Sequence, residues 1–153
     1  MEINWEEILK SSELTELIFK KSGLSKKEWN EIIKEEDYDS IENDLNQLLD
    51  DTECIIYSTC VSMGYDSSYR LVNLCGLFFW NDHSADLGWE GPESSIREFY
   101  DLGWFFGEAV NTNYEVSTSL DDETIFKIIG ECNCPITIND IKYIHDGERY
   151  VKA

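Results

Sequence analysis

The chain has 153 residues, 42% of them hydrophobic and 13% aromatic, enough to bury a core and too many for an intrinsically disordered acidic tail. Against 12 basic residues stand 32 acidic ones, a formal net charge of -20 at pH 7. A field of that sign repels nucleic acid and anionic membrane and steers basic proteins inward, so the expected partner is a basic protein, with no direct nucleic acid and no membrane.

In the N-terminal third, Trp5, Ile8 and Leu9, then Leu14, Leu17 and Ile18, recur at helical spacing, and Gly23 supplies a stop. Ser25 with Glu28 three residues on reads as a capping box ahead of Trp29, Ile32 and Ile33. Asp39, with Glu42 three on, is expected to cap a further helix whose inner face is Ile41, Leu45, Leu48 and Leu49. Asp50 and Asp51 suit the C-terminal end of a helix dipole badly, and are expected just beyond its last turn.

From residue 54 onward the period changes. Residues 54–61 and 69–80 are β-branched, aromatic and cysteine-rich, separated by a turn-like cluster over 63–68. The run RLVNLCGLFFW is apolar on both faces for part of its length, which predicts a central strand. Pro92 and the Ser95–Glu98 pair are expected to open a helix running to about residue 110 and covering the sheet. Residues 114–118 alternate like a strand, and Asp121 or Asp122 starts a short helix with Ile125, Phe126 and Ile129 inward. At the end, residues 141–144 and 149–151 flank His145-Asp146-Gly147-Glu148, a hairpin signal. There are no repeats, low-complexity tracts or clear linkers. The expectation is a single α+β domain over 1–153. Helices over about 3–50 come first, followed over about 53–153 by a mainly antiparallel sheet covered by a helix and ending in a β-hairpin.

No apolar run approaches the ~20 residues that span a bilayer, and Glu2, Glu6 and Glu7 leave no room for a leader pattern. Five cysteines (Cys54, Cys60, Cys75, Cys132 and Cys134) are an odd number that fits reduced thiols, so the expected location is cytoplasmic.

The stretch WNDHSADLGWEGPE, residues 80–93, looks most like chemistry. Its Asp82-His83-Ser84 tripeptide is not a catalytic triad, because adjacent residues point apart while triad members converge from distant segments. Cys132-x-Cys134, taken with His83 or His145, lacks the matching second pair of a zinc signature. Gly88-x-x-Gly91 lacks the lysine and the strand–helix context of a phosphate loop. Neither catalytic residues nor a metal or cofactor are therefore expected.

What remains is acidic surface. Glu28, Glu31 and Glu35 lie on one helical face opposite Trp29, Ile32 and Ile33, and Glu36, Asp37 and Asp39 follow. The 80–93 stretch adds Asp82, Asp86, Glu90 and Glu93 around Trp89, which is expected to be an exposed anchor, while Trp80 is expected in the core. The charge exceeds the roughly 2–8 that solubility asks of a small domain. The expected function is a small acidic inhibitor or immunity-type protein that neutralises a basic partner, most readily a toxin or a nucleic-acid-processing enzyme. A phage-type nucleic-acid mimic acting on a host defence nuclease (anti-CRISPR or anti-restriction) is the alternative inhibitor. Outside the inhibitors, the composition also suits a small hydrolase with Cys or carboxylate catalysis, or a scaffold subunit. The immunity form comes first because the chain reads as a conventional globular domain and not as a rod of evenly spaced charge.

Overall fold

A computed structural model describes residues 3–62, 65–82, 88–95, 113–129 and 135–153. The N-terminal part is four helices: α1 (Trp5–Leu9), α2 (Ser12–Ser22), α3 (Lys26–Glu35) and α4 (Asp39–Asp50). The apolar spacing that runs through the first two is interrupted at Ser11, whose hydroxyl accepts the Leu14 N–H and starts a new helix. The capping box of α3 forms as its sequence predicts. Ser25 Oγ accepts from the Glu28 N–H, and the Glu28 carboxylate accepts from the Ser25 N–H, both at 3.2 Å. The expected cap of α4 differs. Asp39 is already helical, Tyr38 precedes it without a side-chain cap, and the Ser40 hydroxyl bonds Asp37 instead. Asp50 also differs from expectation, since it is the last residue of the helix and not beyond it.

The remaining elements form one eight-stranded sheet and a helix: β1 (Cys54–Ser62), β2 (Tyr65–Leu74), β3 (Leu77–Asp82), β4 (Trp89–Glu93), β5 (Asn113–Thr118), α5 (Asp122–Ile129), β6 (Ile136–Ile138), β7 (Ile141–His145) and β8 (Tyr150–Lys152). Strand order is β4-β3-β2-β1-β5-β6-β7-β8, antiparallel throughout except for the β5–β6 pair, which α5 connects. The fold is thus α+β, with helices first and a mostly antiparallel sheet after them.

The long apolar run 69–80 is not one strand. It folds back at Cys75-Gly76, both at positive φ (56° and 82°), into the β2–β3 hairpin. A two-residue turn of that hand matches the twist of the flanking strands. Its two arms are apolar because both lie inside the sheet, flanked by β1 and β4. Pro92 starts no helix; it sits in β4, the edge strand, where its missing N–H removes no ladder bond from a central position. The rest of the covering helix expected up to residue 110 lies outside the described residues. Gly91 cannot carry a side chain, because at φ +122° a Cβ there would come within 2.9 Å of the Phe78 carbonyl oxygen. The N-terminal residues shield this edge: the Asn4 N–H donates to the Gly91 carbonyl at 2.7 Å.

Two cores sit against the sheet. Ile8, Leu14, Ile18, Trp29, Ile41, Leu45 and Leu49 from the helices pack on Val72, Phe79 and Trp89. Ile125 and Ile128 of α5 pack on Ile56, Leu71, Trp80, Val116, Ile136, Ile138 and Tyr143. In α5 Ile125 is inward as expected, while the side chain of Ile129 lies outside what is described. The final hairpin forms, with His145 opposite Tyr150, but Asp146-Gly147 belongs to a four-residue loop. There the Asp146 carboxylate accepts the N–H groups of Glu148 and Arg149 at 2.9 and 3.0 Å.

Candidate protein-binding surface

Strand register assembles five side chains from five strands into one row. Trp89 of β4 lies opposite Asn81 of β3, Asn81 opposite Arg70 of β2, Arg70 opposite Tyr57 of β1, and Tyr57 opposite Ser117 of β5. Cross-strand partners project from the same face of a sheet, so the row runs from the helix-covered half to the β5 side.

At the helix end the row closes into a polar knot. The Trp89 indole N–H donates to Asp50 Oδ1 at 2.9 Å. The Arg70 guanidinium lies 4.7 Å above the Trp89 ring, and its Nη2 is 3.6 Å from the same carboxylate oxygen. Asp50, awkward at a helix C-terminus, is thereby answered by a cation and an N–H from the sheet. Within the knot, Arg70 Nε and Asn81 Oδ1 are buried without a protein hydrogen-bond partner, Asn81 being 5% exposed.

This arrangement corrects the expectation for Trp89. It is 6% exposed and belongs to the helix–sheet core. Trp89 opens a strand whose register turns the indole under α4. Trp89 is a structural member and not an exposed anchor. Trp80 is core as expected, 5% exposed, on the other side of the sheet. Its N–H donates to Glu90 at 2.6 Å, so one carboxylate of the acidic stretch is held by its own neighbour. Glu93 is half-buried opposite Phe78, and Asp82 ends β3 opposite Tyr69. Asp86 and His83 lie outside the described residues. Among the described side chains, Glu90 and Glu93 of β4 and the acids of α3 belong to different elements.

The α3 acids are placed differently. Glu28, Glu31 and Glu35 are all exposed, and so are Glu36, Asp37 and Asp39 after them. Trp29 on the opposite face is buried edge-on against Phe19, 5.3 Å between ring centroids. Among the described residues the ion pairs are Lys10–Glu7, Lys20–Glu16 and Arg70–Asp50, none of which touches an α3 acid.

At the β5 end of the row, a cleft of about 720 Å³ opens between the start of β1 and the end of β5. Its lining includes Glu53, Cys54, Tyr57, Ser117 and Ser119. Thr118 and Asn139 also line it and brace each other. The Asn139 amide accepts from the Thr118 N–H and donates to the Thr118 carbonyl, both at 3.0 Å.

Cys54 and Cys75 are half-buried thiols. Burial pushes Cys54 up from the usual thiol range, against the pull of Arg70, and burial with the Glu13 carboxylate pushes Cys75 up. Both are moved away from the nucleophilic thiolate. Among the described residues no group of three or more His, Cys, Asp or Glu is placed to hold a metal ion; Cys132, Cys134 and His83 are not among them. No described helix is long and apolar enough to cross a membrane.

Sequence reasoning missed Asp50, Arg70, Asn81, Glu53 and Tyr57. One signal was legible: Arg70 is one of two cations over 52–111 and interrupts an otherwise apolar run. No protein-family model matches this chain, and neither a curated protein nor a solved structure shows significant similarity to it.

Proposed function

We propose that this chain is a small acidic inhibitor of the immunity type, which binds a basic protein and neutralises it, with a toxin or a nuclease as the target class. The observation that carries this reading is the exposed face of α3 and the turn after it. There six carboxylates, from Glu28 to Asp39, stand in solvent with no cation paired to them among the described residues. Such a face costs stability through self-repulsion and is compensated when a basic surface covers it. A nuclease supplies that surface, since its own substrate is a polyanion. With Trp89 assigned to the core, the α3 face carries the reading and the 80–93 stretch does not.

The test is capture of a stoichiometric basic partner from the native host, followed by stopped-flow association. Rim carboxylates act mainly on encounter, so the association rate should fall steeply as salt rises from about 50 to 500 mM. Replacing Glu31 and Glu35 with Gln should slow association further at low salt and leave dissociation little changed. An association rate indifferent to both salt and these substitutions would remove the proposal.

A further inference from the structure

The cleft at the β5 end of the cross-strand row has a composition that selects a ligand. Among the described residues no lysine or arginine lines it. Glu53 stands exposed at its rim, Ser117 and Ser119 bring hydroxyl groups, and Tyr57 is 41% exposed, one of only three large hydrophobic side chains among the described residues to be so open. The nearest cation by register, Arg70, is turned away across β3 onto the Trp89 ring and is held there by Asp50. Asp51, at the C-terminal cap of α4, adds negative charge just before Glu53, where the helix dipole is also negative. The same chain thus shows, at the edge of its helix–sheet core, an arginine stacked on an aromatic ring beside a carboxylate, and presents a second aromatic ring and carboxylate at the cleft.

From this geometry we infer that the cleft receives an arginine side chain presented by a protein partner, the guanidinium stacking on Tyr57 and pairing with Glu53. The inference rests on the reading of the chain as a binder of basic proteins and names the contact that would give it specificity. Arginine fits better than lysine: its flat, weakly hydrated guanidinium stacks on an aromatic ring and offers five donors to several acceptors, whereas an ammonium is a compact, strongly hydrated point charge. Nucleotides and other anions fit this lining less well, because among its described residues the one formal charge, on Glu53, is negative. The volume lies in the range of about 300–1,000 Å³ typical of ligand pockets, room for one long side chain and part of the segment that carries it.

The experiment titrates the purified, isotope-labelled chain with N-acetyl-argininamide, and in parallel with N-acetyl-lysinamide, at fixed ionic strength by NMR. Arginine should shift the Tyr57 ring and the amides of Ser117 and Ser119 first and most, and the lysine compound should bind more weakly. Tyr57→Ala and Glu53→Gln should each weaken arginine binding about fivefold, and Tyr57→Phe, which keeps the ring, should restore it. Both positions carry exposed groups, and dispersed amide spectra of the three variants report that the fold is retained. Shifts spread evenly over the acidic surface, equal response to both compounds, or indifference to Tyr57→Ala and Glu53→Gln would overturn the inference. The two proposals fail separately. A partner captured through α3 whose binding ignores the cleft variants leaves the inhibitor reading standing and sinks this one. Arginine held at Tyr57 with no basic partner in the host does the reverse.

Discussion

Trp89 shows how one residue changes role with its register. Flanked by Gly88 and Glu90, it has the composition of a loop anchor, yet its indole is sandwiched between the Arg70 guanidinium and the helix layer, with its N–H on Asp50. Replacement by alanine is therefore a core truncation, expected to cost about 3–5 kcal/mol in urea unfolding. Asp50→Ala keeps the ring but removes a half-exposed acceptor from its N–H and from the guanidinium, and should cost about 1 kcal/mol. If Trp89→Ala leaves the unfolding midpoint unchanged, the knot is not a structural element. Neither substitution should alter association with a basic partner in the fraction that remains folded.

Among the elements, those governed by local chemistry form where their residues place them. The Ser25–Glu28 box, the stop at Gly23 and the terminal hairpin are cases in which one or two side chains satisfy backbone groups a few residues away. The β7–β8 loop makes this testable through pH. The N–H groups of Arg149 and Glu148 hold the Asp146 carboxyl below the ordinary carboxylate range, the Arg149 bond contributing most. A depressed folded-state pKa means stability that is present above the unfolded value of about 3.9 and is lost as pH falls through the folded value. Hydrogen-exchange protection of Glu148 and Arg149 should therefore drop at acid pH, with a midpoint below about 3.9. In Asp146→Ala that protection should be low at every pH. A midpoint at or above the ordinary value would show that the loop bonds do not form in solution.

For the whole molecule the governing quantity is the charge of -20. The described ion pairs neutralise few of the 32 acids, and the helices carrying most of the N-terminal ones lie on one side of the sheet. Self-repulsion of that kind is long-ranged and screened by salt. Raising ionic strength from about 10 to 150 mM shortens the Debye length from about 30 to 8 Å, and the thermal midpoint of the free chain should rise with it. A midpoint that falls with added salt would mean that attractive pairs outweigh the repulsion. The same screening that steadies the free chain should slow its association with a basic partner, so stability and on-rate are expected to respond to salt in opposite directions.

Properties that depend on near neighbours or on totals were legible in the amino-acid sequence by itself: the α+β class, helices before strands, the capping box, the core positions Ile41, Leu45 and Leu49, the burial of Trp80 and the sign of the field. Period, cap chemistry and net charge are local or additive, and no distant contact is needed to read them. The division of 69–80 into two strands was less legible, because Cys75 stands where asparagine or aspartate would mark the turn, and apolar arms flanked by other strands look like one continuous strand. Only the tertiary structure brought Asp50, Arg70 and Trp89 together, from positions spread over 39 residues, and set Glu53, Tyr57 and Ser117 around one cleft. Such convergence follows from strand register and from how helices seat on the sheet. A one-residue slip would turn Arg70, Trp89, Tyr57 and Ser117 to the opposite face of the sheet, and no local pattern in the chain records which face that is.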